Sequence, residues 1–325
     1  MDSTKIAKSA GLRYSSDKER GLDLKKAGVK DLARAKSLRI PPAWKEVWIC
    51  GDSKGHIQAT GKDSRGRKQY IYHPKWKEIR SESKFHKLLI LAEVLPKVRK
   101  KLSRDLGKKE VDRERVVATI IELAEKTLIR IGNEEYAREN HSYGLTTILN
   151  KQVKIKGDEI HFHFKGKSGV LHDVDLHDER LAKVILGCEE LSGQELFCFK
   201  DVDGNVHDVN SEHVNEYLKE ASGEEISAKD FRTWYGTVKA HSYLVKCEPV
   251  ESLKERKKNV VKTIEFVSFH LRNTKAVCKK SYIDPRVIEC YLAGGELVFP
   301  CKCEPKFKNL HADEHELVHF LKRNK

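Results

Sequence analysis

Between Lys151 and Leu176 apolar and polar positions alternate, with Ile160, Phe162 and Phe164 on one side and His161, His163 and Lys165 on the other. A period of two predicts strands with one buried face, and Gly166-Lys167-Ser168-Gly169 reads as the turn between two of them. Ahead of this small sheet the period is helical. Leu88, Leu89, Leu91, Ala92 and Leu95 form one apolar face, and Val116, Val117, Ile120, Ile121, Leu123, Ala124 and Leu128 form a wider one. The second helix is expected to end near Arg130, with Gly132-Asn133 as the break and Asn133 placed to cap a helix beginning Glu134-Glu135-Tyr136. After the sheet, helices are expected around 179–190, 210–222, 229–246, 250–272, 285–293 and 312–322.

Residues 1–80 have a different texture. Val47-Trp48-Ile49-Cys50, His56-Ile57-Gln58-Ala59-Thr60 and Lys68-Gln69-Tyr70-Ile71-Tyr72 are β-prone runs separated by charged, glycine-containing turns. The expected class is therefore α+β, with a β-rich unit over 1–80 and a mostly helical unit with a small inserted sheet over 81–325.

Charge adds a partner to this picture. The 325 residues carry a formal net charge of +14 with a pI near 9.2, which suits a protein that meets a polyanion. Residues 54–87 hold ten Lys or Arg against three Asp or Glu, with aromatic residues interleaved. Such a surface can hold phosphates through its cations and touch sugars or bases through its rings. No apolar run long enough to span a membrane and no secretory signal are readable, so an intracellular protein is expected. The eight cysteines are scattered and read as reduced thiols. Cys301 and Cys303 with His311, His315 and His319 are the one group with a metal-ligand flavour, but the cysteine pair lacks a zinc-finger spacing and no metal is assigned.

The chemistry concentrates in four segments. Tyr282 lies in the cationic run Asn273-Thr274-Lys275-Ala276-Val277-Cys278-Lys279-Lys280-Ser281-Tyr282. A phenol, with a pKa of about 10, attacks well only where cations favour the phenolate. The other three segments are Leu128-Ile129-Arg130-Ile131-Gly132-Asn133, Phe164-Lys165-Gly166-Lys167-Ser168-Gly169 and Lys229-Asp230-Phe231-Arg232-Thr233-Trp234-Tyr235-Gly236. In this order and spacing they closely resemble the small type IB DNA topoisomerases of poxviruses and bacteria. The resemblance covers most of the chain, including Ile40-Pro41-Pro42-Ala43-Trp44 and Gly66-Arg67-Lys68-Gln69-Tyr70-Ile71-Tyr72.

The resemblance implies a monomer clamping duplex DNA and relaxing supercoils through a 3′-phosphotyrosyl intermediate, without metal, ATP or other cofactor. Tyr282 would be the nucleophile, Arg130 and Arg232 the phosphate clamp, and Lys167 the acid that protonates the leaving 5′-oxygen. Asn273 stands where poxvirus enzymes carry a histidine and bacterial relatives an asparagine; an amide can donate a hydrogen bond to phosphate but supplies no charge. His270, nearby, is expected to be structural or exposed. Arg67, Gln69, Tyr70 and Tyr72 match the family's N-terminal groove-contacting strand, and Tyr136 begins a helix that faces the major groove in poxvirus relatives. Two other readings use the same basic surface: a tyrosine recombinase and a catalytically silent architectural DNA-binding protein. Recombinases carry a histidine where this chain has Lys229, and a binder has no need of a positioned phenol.

Overall fold

The computed structural model describes residues 7–8, 11–191, 193, 195–299, 304, 307 and 309–324, less the side chains of residues 77, 80–83 and 136. By contacts the chain divides into two compact units, Met1–His86 and Lys87–Lys325. The Pro74–Leu106 helix runs through this division. It starts earlier than its apolar periodicity indicates, because Pro74 suits a first helical position and the charged residues after it are good helix formers.

In the first unit β1 (Lys45–Ile49), β2 (Ile57–Lys62) and β3 (Lys68–Tyr72) form an antiparallel sheet in that order. Gly61 sits where a side chain would strike the Trp44 ring at 2.7 Å, so the strand needs glycine there. His56 is buried between Tyr14, stacked at 4.3 Å, and Trp76, edge-on at 4.7 Å. Trp76 in turn packs with Ala7 and Leu12, and Tyr72 closes over this cluster.

The second unit is mostly helical. The Arg113–Thr127 helix is capped by Asp112 and buries Val116, Val117, Ile120, Ile121 and Leu123, the face expected from the sequence. It packs on the helices Glu179–Glu189, Ser211–Ser222 and Ala228–Val245. In the same unit β4 (Val153–Lys156), β5 (Glu159–Lys165) and β6 (Leu171–His177) form the inserted antiparallel sheet, with Ile160, Phe162 and Phe164 fully buried and β5 against the Glu179–Glu189 helix. The sequence reading placed neither the hairpin of β7 (Cys198–Lys200) and β8 (Val206–Asp208) nor the helix at Lys275–Ser281, nor, in the first unit, the helix Val29–Ser37. Six of the cysteines are described, and all six are unpaired thiols.

The C-terminal helix Ala312–Arg323 packs on Ala228–Val245 through a buried polar knot. Arg99 donates to Glu314 Oε2 at 2.8 Å and to the Tyr235 hydroxyl at 2.8 Å, and pairs with Glu125 at 2.5 Å. Trp234 Nε1 donates to the other Glu314 oxygen at 3.0 Å. Burial alone would raise the Glu314 carboxyl, but Arg99 and Trp234 hold it below the ordinary glutamate value. The stability this contributes is complete above the ordinary range and is lost as pH falls through the depressed folded value. Glu314→Gln is expected to cost about 3 kcal/mol, since one partner of a buried pair is removed, and to flatten the acid limb of stability against pH. Urea unfolding at pH 7 and below pH 4 checks both.

Candidate active site

Each predicted catalytic side chain is placed by a different local device. The Arg113–Thr127 helix stops because Leu128 adopts a left-handed conformation (φ 56°). Buried Leu128 and Ile129 then carry the chain inward and deliver Arg130 at the end of this short anchor. The segment is locked from outside by Gly132 and Gly144. A side chain on Gly144 would meet Gly132 Cα at 2.6 Å and Arg130 O at 2.7 Å, so the two segments touch only because that position is glycine. Leu145 N donates to Arg130 O at 2.9 Å across the same contact.

Arg232 lies in the first turns of the Ala228–Val245 helix, whose start is held by Asp230 accepting from Ser227 N at 2.9 Å. Its guanidinium is buried, 6% exposed, and donates to Leu128 O through Nη1 and to Leu271 O through Nη2 at 2.6 Å. Those carbonyls come from the ends of two other helices, so one side chain ties three elements together. Burial and the neighbouring Arg130 charge push its pKa down to about 10, which leaves it charged at neutral pH.

Tyr282 follows the Lys275–Ser281 helix, started by the Thr274 hydroxyl accepting from Val277 N at 3.3 Å. Its backbone rests on the helix that holds Arg232. Thr237 Oγ1 donates to Tyr282 O at 3.3 Å, and a side chain on Gly236 would meet that oxygen at 2.4 Å. Residues 232 and 236 are four apart and share a helix face, so nucleophile and arginine are positioned by one rigid surface. The Arg232 guanidinium lies 5.3 Å from the Tyr282 ring centre. Burial would raise the phenol pKa, but the Arg232 and Arg130 charges, the hydrogen bond with Arg232 and the Lys229 charge outweigh it and the net shift is downward. Gly236→Ala is expected to displace Tyr282 and slow single-turnover DNA cleavage about 100-fold with DNA binding retained, since misplacing a reacting group by an ångström carries roughly that penalty.

Lys167 occupies the tight turn Lys167–Gly169 between β5 and β6. The turn needs left-handed residues at Ser168 (φ 64°) and Gly169 (φ 78°), and closes with Gly166 N donating to Val170 O at 2.8 Å. Beneath it His172 is buried and stacked on Phe164 at 4.7 Å. Only glycine at 166 leaves room for that ring, because a side chain there would lie 2.5 Å from Nε2. Burial, with the charges of Arg272, Arg130 and Arg232, lowers the His172 pKa to about 3, so it supports the turn as a neutral ring.

Arg130, Lys167, Arg232 and Tyr282 line one cavity of about 440 Å³, together with Lys229 and Tyr143. No acidic residue lines it among the described residues. Asn273 adjoins through Oδ1, which accepts from Arg130 Nη2. Arg130 Nη1, Arg232 Nε and Asn273 Nδ2 are buried donors that no described protein atom accepts from. Leaving such donors unpaired costs ~1–3 kcal/mol each, so their convergence beside a phenol marks a place built for an anion with several acceptor oxygens. His270 is partly buried, with Nδ1 2.8 Å from Phe266 O, which fits the structural role expected for it.

The predicted DNA-contacting residues of the first unit lie on or beside β3. Tyr70 is exposed and stacks with Tyr72 at 5.9 Å, while Tyr72 also packs on the Trp76 cluster. Arg67 and Gln69 both hold Asp63, at 2.7 and 2.9 Å. Tyr136 is in the helix Glu134–Asn140, and its side chain is outside the described residues. Cys301 and Cys303 are also outside them; His315 and His319 stack at 6.1 Å, and the C-terminal histidines form no metal-ligating group among the described residues. Sequence reasoning assigned no role to Lys229, His172 or Gly236. A glycine inside a helical run and a polar residue in register with buried Phe164 were the signals for the last two.

Comparison with known proteins agrees with this geometry. The family model of the eukaryotic DNA topoisomerase I catalytic core matches residues 73–291, and that of the bacterial DNA topoisomerase IB N-terminal domain matches residues 17–63. DNA topoisomerase 1B of Acanthamoeba polyphaga mimivirus is 35% identical over 269 residues, 81% of this chain and 80% of that protein. DNA topoisomerase I of Monkeypox virus is 27% identical and DNA topoisomerase 1B of Vaccinia virus (strain Copenhagen) 26% identical, each over 233 residues and 71% of both chains. An anion cradle beside a phenol whose pKa is lowered, set in a chain that both family models match, places this protein in the type IB DNA topoisomerase family.

Proposed function

We propose that this enzyme relaxes positive and negative supercoils by cutting and resealing one strand of duplex DNA. Tyr282 gives its phenolic proton to water as Oη attacks the scissile phosphorus, the bond to the 5′-oxygen breaks, and a 3′-phosphotyrosyl link and a 5′-hydroxyl are formed. Arg130 and Arg232 hold the non-bridging oxygens, Asn273 Nδ2 donates a further hydrogen bond, and Lys167 gives its proton to the departing oxygen. After strand rotation the 5′-hydroxyl passes its proton back to Lys167 and attacks the phosphotyrosyl phosphorus, and Tyr282 leaves as a phenolate that takes up a proton from water. The phosphodiester energy is kept in the covalent link, so the cycle needs neither ATP nor metal. The single observation that carries this reading is the set of three unpaired buried donors, Arg130 Nη1, Arg232 Nε and Asn273 Nδ2, beside Tyr282.

The protein is proposed to act as a monomer, with Arg67, Gln69, Tyr70, Tyr72 and Tyr136 contributing DNA contacts outside the pocket. The test is relaxation of positively and negatively supercoiled plasmid with EDTA present and nucleotide absent. Relaxation of both signs is expected; a requirement for ATP or a divalent ion, or action on one sign alone, would overturn the mechanism.

A further inference from the structure

The outward face of the β5–β6 hairpin carries an arrangement that the cleavage chemistry does not use. In the strand register His161 faces Asp175 and His163 faces Asp173, so all four side chains project from one side, opposite buried Phe162 and Phe164. His161 Nε2 lies 3.3 Å and His163 Nδ1 3.7 Å from Asp173 Oδ1. One ligand atom from each of the three residues falls within 4.8 Å of the others. Bonds of about 2.1 Å to a tetrahedral ion separate its ligands by roughly 3.4 Å, so small side-chain rotations suffice to close this set on one ion.

A second observation points the same way. The other nitrogen of His161, Nδ1, lies 2.6 Å from Asp175 Oδ1. With its proton on Nδ1 and donated to that carboxylate, His161 presents the Nε2 lone pair to the His163 and Asp173 side; metal-bound histidines are oriented in this way. We infer that His161 Nε2, His163 Nδ1 and Asp173 Oδ1 bind one first-row divalent transition ion of the zinc class, with water completing its coordination and Asp175 orienting His161. Two imidazoles with one carboxylate favour such an ion over magnesium or calcium, which prefer oxygen alone. The ion ties β5 to β6 two residue pairs before the turn that bears Lys167. It takes no part in strand cleavage, and the binding does not depend on the role proposed for Lys167.

Cobalt(II) titration of chelator-treated full-length protein, followed by absorption and equilibrium dialysis, tests the site. One cobalt per chain is expected, with d–d bands, no sulfur charge-transfer band and displacement by zinc. His163→Gln is expected to abolish this binding. Asp175→Asn is expected to weaken it about 10-fold, as loss of an orienting carboxylate does. Zinc should raise the thermal midpoint of the wild type but not of His163→Gln, whose metal-free midpoint should match the wild type. Absence of cobalt binding, binding unchanged in His163→Gln, or a thiolate charge-transfer band that persists in that variant would overturn the inference.

Discussion

Tyr282→Phe is expected to abolish supercoil relaxation and covalent trapping while leaving plasmid binding within about twofold. Removing an essential nucleophile typically lowers turnover by about 10⁴-fold or more. Binding should survive because the lost atom is one hydroxyl, whereas affinity for duplex DNA comes chiefly from many phosphate contacts. Folding should survive as well. The ring packs in place, its backbone oxygen still accepts from Thr237, and Gly236 still makes room for it. Gel assay of relaxation, denaturant trapping of adducts and filter binding at fixed salt measure the three properties. Appreciable relaxation by the variant would remove Tyr282 from the chemistry.

The charges on Arg130 and Arg232 also set a pH dependence. They hold the Tyr282 phenol below its ordinary value, so the rise of cleavage rate with pH should come earlier than for an ordinary tyrosine. Neutralising Arg130 removes one of these charges and should move the rise to higher pH. The sign follows because a cation stabilises the phenolate and its loss favours the phenol.

Lys167→Ala should slow cleavage by about 10²–10⁴-fold, the usual contribution of a positioned general acid. The variant should fold normally, since Lys167 is exposed and the turn geometry rests on Ser168 and Gly169. A substrate with sulfur in place of the 5′-bridging oxygen separates the possible roles. A thiolate departs without prior protonation, so such DNA should restore most of the cleavage rate to Lys167→Ala and none to Tyr282→Phe. If the lysine only attracted the non-bridging oxygens, both substrates would suffer equally. Rates of single-turnover cleavage on the two DNAs give the ratio.

How much of this was legible in the sequence depends on the range of the interactions involved. The alternation through Ile160, Phe162 and Phe164 is a local pattern created by burial of one sheet face, and the strands lie where it places them. The long helices follow their apolar periodicity for the same reason, and their ends fall near the expected positions except at the start of Pro74–Leu106, where charged helix formers extend the helix ahead of its apolar face. The Lys275–Ser281 helix left little trace, because within it only Cys278 is buried and its start depends on one capping hydroxyl from Thr274. The three-residue strands at Cys198–Lys200 and Val206–Asp208 are too short for any period to register.

At the site, motifs pointed to Arg130, Lys167, Arg232 and Tyr282 individually, and one cavity brings them together. What the motifs could not convey is the support. Arg232 is held by the carbonyls of Leu128 and Leu271, Tyr282 leans on Gly236 and Thr237, and neutral His172 fills the space under the Lys167 turn. The contacts of Arg232 and Tyr282 join residues from 39 to 104 positions apart, beyond the reach of any local pattern, whereas His172 lies only six positions from the Gly166 that makes room for it.

Tyr282 is expected to take the 3′-phosphate of a cut strand into covalent linkage. Denaturant-trapped adduct, digested with protease and nuclease and sequenced by mass spectrometry, tests it most directly when the DNA is labelled separately at each end of the cut strand. A nucleotide remnant is expected on Tyr282 alone, bonded through the 3′ end and leaving a free 5′-hydroxyl. A remnant on another residue, linkage through the 5′ end, or relaxation with no adduct would contradict it.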